Sequence, residues 1–243
     1  MVNLKYPAVV FAANAIALLI PELFVYLALP TDTSYRTVWA YVVLAIFVGG
    51  LVYGTVRRRH ARLTWEVICA IAAIAGVWYL PSFILPMWAA IVTSSLLTLT
   101  ALFWRPATNV FALMGAVGLA FAFASWLPIE ALLAGLAVLV TYDMVAGSHG
   151  HGVQSLVDRV GSKAFLPHLD VGTPIGVIEV AIPCAVVLAM LPFGLMPSII
   201  VAGGGTIGAL VASIRTPREL RAEYVAIGTI APAVILLLIS AFL

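Results

Sequence analysis

Apolar runs of roughly 20 residues recur along the whole of this chain, each closed by charge, proline or glycine. A helix of that length matches the ~30 Å hydrocarbon core of a bilayer, where only helices and closed barrels satisfy their own backbone. The runs are continuous rather than alternating, which argues against a transmembrane β-barrel. Of the 243 residues, 64% are hydrophobic and only 9% are charged. A soluble domain would carry about 25% charged residues. The expected fold is therefore an all-α, multi-pass integral membrane protein, with residues 1–243 forming one polytopic domain surrounded by lipid.

Breaks at charge, proline and glycine give about nine spans, near 7–29, 37–56, 64–80, 83–104, 108–127, 129–147, 174–192, 194–214 and 225–242. The breaks at Pro81, Pro128 and Gly194 are the weakest, because almost no polar residue accompanies them. The opening run passes through Glu22 to Leu29 without a small-residue cleavage site, so it reads as a retained first helix. The basic residues test the count. Lys5, Arg57, Arg58, Arg59, Arg62, Arg105, Arg159, Lys163, Arg215, Arg218 and Arg221 all fall on one side of a nine-span chain, and only Arg36 falls on the other. The positive-inside rule then places the N-terminus in the cytoplasm and the C-terminus outside.

The longest polar stretch, about 148–173, is the expected cytoplasmic loop between spans six and seven. The two spans it joins each carry an acid, Asp143 and Glu179. An acid within a membrane helix is costly and marks a functional site by default. Asp143 lies about five residues from the cytoplasmic end of span six, and Glu179 five residues after Pro174. Each is thus ~8 Å deep at 1.5 Å per residue, so the carboxyl groups can meet if the helices pack together. Gly176, Ala146 and Gly147 are small enough to permit a close approach, and Pro183 leaves the carbonyl of Glu179 without its helical donor. Two buried carboxyls at one site share a proton. The ionised member can act as base on a water between them, and the protonated member can donate to a substrate carbonyl, which are the two roles peptide hydrolysis needs. The structural alternative for Glu179 is a capped backbone carbonyl or a pairing with Thr141.

Other polar residues point less clearly to chemistry. Glu22, beside Pro21 in span one, reads as a protonated acid in a helix contact or as an ion site. Cys69 and Cys184 lie in apolar runs and read as buried small side chains. His149, His151 and His168, with Asp170, lie in one loop, but their spacing is weak as a metal set and solvated histidines are the simpler reading. No HExxH or GxSxG signature is present, and the GGGT at 203–206 has no following lysine and reads as a packing surface. No metal and no other cofactor is expected, and no nucleic-acid partner.

Tyr142-Asp143, the following SLVDRV at 155–160 and the lead-in over 119–143 together resemble the presenilin and signal-peptide-peptidase family, and its small prokaryotic members most of all. The resemblance implies nine spans, a cytoplasmic N-terminus and an aspartyl dyad split between spans six and seven. It covers about 117–160 and the topology of the chain. In span seven Gly176-Val177-Ile178-Glu179 stands where the family has Gly-x-Gly-Asp, which makes Glu179 the second acid and Gly176 and Tyr142 supporting residues. Asp170-Val171-Gly172-Thr173 is a second placement, at the membrane edge. The family's Pro-Ala-Leu motif at the start of span nine is missing, and Ala231-Pro232-Ala233 lies several residues too deep.

The resemblance implies an intramembrane aspartyl protease homologue that cuts single-span transmembrane substrates in a prokaryotic cell membrane. Glutamate for aspartate leaves open a slow enzyme or a non-catalytic relative that binds transmembrane helices. A different class of function, a small proton or cation transporter or channel using Glu22, Asp143 and Glu179, is the alternative.

Overall fold

A computed structural model describes residues 4–23, 74–81, 85–148, 168–170, 174–215 and 222–242. The helices are α1 (Lys5–Leu23), α2 (74–81), α3 (Met87–Phe103), α4 (Arg105–Trp126), α5 (Ile129–Ser148), α6 (Val177–Ala189), α7 (Leu195–Arg215) and α8 (Ala222–Phe242). Two three-residue strands, β1 (His168–Asp170) and β2 (Pro174–Gly176), precede α6, and a 3₁₀ turn, Leu191–Phe193, follows it. Among the described residues three helices are long and apolar enough to cross a membrane, Ala107–Trp126, Leu195–Arg215 and Glu223–Phe242. They are compatible with a membrane protein. The second expected span and most of the third lie outside the described residues.

Two of the three weak breaks, at Pro128 and Gly194, have a local cause, and the residues that follow Pro81 lie outside the described residues. Leu127 adopts an extended backbone (φ −108°, ψ 135°) between α4 and α5, because the ring of Pro128 crowds a helical conformation at the residue before it. Gly194 has φ +118°, the only positive φ among the described residues. It turns the chain from the 3₁₀ turn into α7 at a conformation that a side chain would strain. Pro106 sits at the start of α4, where its missing N–H costs nothing.

α6 is the axis of the bundle. It packs against α1, α4, α5, α7 and α8. Almost every side chain from Val180 to Met190 is buried. A helix that is apolar all round belongs in an interior rather than at a lipid face. α4 is its closest neighbour and carries Ala112, Ala116 and Ala120, all fully buried, at a four-residue spacing. That spacing puts three alanines on one face and lets the two helices approach closely. The outward faces are apolar too: Phe11, Leu96, Ile207 and Leu238 are exposed. Trp104 and Trp126, at the two ends of α4, are also exposed. Aromatic side chains at both ends of a span suit the two membrane interfaces.

Glycines set two other crossings. A Cβ on Gly76 of α2 would collide with the backbone carbonyl of Gly115 of α4, and a Cβ on Gly118 would collide with that of Gly76. α7 and α8 touch through Gly204, Gly208 and Gly228 in the same way. Polar contacts add to this packing. Asn14 of α1 is buried and donates to the carbonyl of Ala202 of α7 at 3.5 Å. Ser94 of α3 donates to Val77 of α2 at 3.1 Å, and the Tyr79 and Ser125 hydroxyls are 2.9 Å apart. Such interhelical bonds contribute about 1 kcal/mol or less each, so the close approach of the backbones matters more.

The neighbours Gly203 and Gly204 give a direct test. A Cβ on Gly204 would meet the carbonyl of Gly228 and, at 2.9 Å, the ring of Pro232, whereas a Cβ on Gly203 meets nothing within 4 Å. Gly204→Ala is expected to destabilise the protein by about 1–3 kcal/mol through overpacking. Gly203→Ala is expected to be neutral or to gain up to about 1 kcal/mol from helix propensity. Thermal unfolding in detergent checks both. Equal effects would mean that α7 and α8 do not cross at these glycines.

Candidate functional site

The site has to be built from the ends of α5 and α6. α5 packs against both α6 and α8, so the helices that carry Asp143 and Glu179 are neighbours. Tyr142 and Asp143 belong to the last two turns of α5, and Asp143 is five residues before its final residue, Ser148. Their side chains lie outside the described residues, as do those of Glu22, Asp170 and Ile178. Glu179 is half-buried in the first turn of α6. The N–H groups of that turn have no partner within the helix, so an acid there lies beside a favourable dipole end.

The start of α6 differs from the expectation. Span seven was expected to be helical from Pro174, with Glu179 five residues inside it. Instead Pro174–Gly176 is a strand, and Val177 is the first helical residue. Glu179 is thus two residues from the helix start, ~3 Å rather than ~8 Å along it. Gly176 closes β2 instead of providing a small helical contact. The supposed loop end is part of an antiparallel hairpin with His168 opposite Gly176, Leu169 opposite Ile175 and Asp170 opposite Pro174. Pro174 has no N–H to offer and stands at the end of its strand, where the ladder can lose a donor. Asp170 therefore sits in β1 at the far end of the hairpin from the start of α6. Gly172-Thr173-Pro174 between short apolar stretches was the available signal for such a hairpin, and helical periodicity passes over it.

Thr141 is exposed, and its hydroxyl donates to the carbonyl of Ala137 in its own helix at 2.8 Å. Cys184 is buried in α6 with its Sγ 3.6 Å from the carbonyl of Ala13. Ala233 is fully buried in α8, beside the in-helix Pro232, and α8 packs against both acid-bearing helices. His149, His151 and Cys69 lie outside the described residues. Among the described residues no group of three metal-ligating side chains comes together.

Simple lengths locate Glu179 in the bundle. The Leu191–Gly194 turn leads from α6 directly into α7, which packs alongside it. α6 has 13 residues and α7 has 21. At 1.5 Å per residue these are about 20 Å and about 32 Å. Glu179, ten residues before Ala189, is therefore about 15 Å from the turn and close to the mid-point of α7. β1 packs against α4, and β2 against the start of α6.

No protein-family model matches this chain, and a search of curated proteins finds no match.

Proposed function

We propose that the chain is an intramembrane aspartyl protease homologue of the presenilin and signal-peptide-peptidase type. In this reading Asp143 and Glu179 hold the attacking water, and Tyr142 and Gly176 support them. The substrates are single-span transmembrane helices. The observation that carries the reading is an interruption in α6. α6 stops about 12 Å short of the length of α7, and a strand pair takes over beside Glu179. Within a bilayer, non-helical backbone survives only where it is buried in protein or lines a water-filled cavity. A hairpin at that depth thus supports both needs of hydrolysis in a membrane, a route for water and a place where backbone is extended. A strand edge can also bind an extended peptide by main-chain hydrogen bonds, the form in which a scissile bond is open to attack. The helix contact between α5 and α6 supports a shared site for the two acids.

The sidedness follows from the distribution of basic residues, with the N-terminus and the 148–173 segment in the cytoplasm and nine spans in all. Cysteine labelling in intact cells is expected to mark a probe placed at Leu243 and to miss one placed at Gly161. The reverse pattern would overturn the nine-span orientation. The activity is tested with a transmembrane reporter in liposomes: cleavage that needs both acids supports the protease. Proton- or cation-driven flux that needs Glu22, Asp143 and Glu179, without cleavage, would instead support a transporter.

A further inference from the structure

We infer that α6 fixes the depth of the cut, so that the scissile bond lies about ten residues from the substrate's membrane boundary at the Leu191–Gly194 end. The inference rests on the protease reading above. It comes from three features of α6. Glu179 is ten residues from the last residue of the helix, Ala189. The turn that follows is pinned by Gly194 at φ +118° and returns at once into α7. The helix between is held on all sides: Ala181 and Ala185 are fully buried, and Cys184 reaches the carbonyl of Ala13.

A buried helix gripped in this way cannot slide by a residue without breaking close-packed contacts. The level of Glu179 relative to the turn is therefore a constant of the fold. A substrate helix lying alongside shares the same hydrocarbon boundary, set by where its own apolar residues end. On the turn side of Glu179 the described elements that pack against α6 are helices, so the substrate can stay helical there and count 1.5 Å per residue. On the other side stands the hairpin, where the substrate unwinds. Counting thus runs from the turn end and not from the hairpin end. In the step itself the water oxygen bonds to the substrate carbonyl carbon, the C–N bond breaks, and the amide nitrogen leaves with a proton. The fragment left on the turn side carries about ten apolar residues, half of what a stable span requires, and can leave the membrane.

The test uses the full chain in liposomes and three reporters that share one apolar span. One is unmodified, one has three leucines inserted in the turn-side half, and one has them in the hairpin-side half. Mass spectrometry of the fragments gives the bond cut. The expected result is a cut about ten residues from the turn-side boundary in all three. In sequence terms it moves by three residues for the first insertion and does not move for the second. A cut that stays at one sequence bond in all three, or that tracks the opposite boundary, would overturn the depth rule while leaving the protease in place. No cleavage of any reporter, by wild type or by the Ile178→Gly, Glu179→Asp variant, would overturn the protease reading and the rule with it.

Discussion

Asp143→Asn is expected to abolish cleavage of a transmembrane reporter while the protein stays folded in the membrane. Asparagine keeps the shape of the side chain but cannot take a proton from water or return one. Acid–base catalysis by a positioned group contributes about 10²- to 10⁴-fold, and the loss should fall in or beyond that range. Asp143 lies in the last turns of α5, and a neutral isostere keeps the size and shape of its side chain. The thermal midpoint should therefore move little. Cleavage by the variant at an undiminished rate would place the activity, if proteolytic, on other groups.

The second large effect concerns the departure from the family pattern. Glutamate is one methylene longer than aspartate, and a reacting group about 1 Å out of place can cost roughly 100-fold in rate. Ile178 stands where the resemblance expects glycine, at the second residue of α6. Glu179→Asp combined with Ile178→Gly is expected to raise cleavage by up to about 100-fold. The glycine costs about 1 kcal/mol in a helix interior and less in a first turn, so the double variant should still fold. A wild type that cleaves well and loses activity on Glu179→Asp would show that the site has been rebuilt around glutamate. A folded double variant that is as inert as wild type would favour a helix-binding or transport role.

Much of the helical framework was legible in the sequence, because hydropathy and helix punctuation are local properties. The break at Pro128 and the turn at Gly194 could be read from proline and glycine alone, since each acts through its own backbone geometry. The neighbourhood of Glu179 was less legible. Pro174-Ile175-Gly176 looks like the start of an apolar helix, and what makes it a strand is pairing with His168–Asp170, a tertiary contact that no local pattern records. The same holds for the role of α6. Its sequence is as apolar as that of α8, yet one is encased and the other carries exposed Ile235, Leu238 and Ile239. The lack of any polar face in the sequence is common to a buried helix and a lipid-facing one. Glycines showed a similar ambiguity. Gly203 and Gly204 are adjacent in one run, and only the crossing of α7 over α8 distinguishes the open position from the closed one.

The dyad stands or falls on one distance, that between the carboxyl groups of Asp143 and Glu179 in the protein embedded in lipid. A density map that shows both side chains would measure it. Two carboxylates that bind one water, each at ordinary hydrogen-bond length, lie within about 6 Å of each other. That separation is the expected result. Carboxyl groups more than about 10 Å apart, in both the free and the substrate-bound protein, could not act on a common water and would contradict the protease reading.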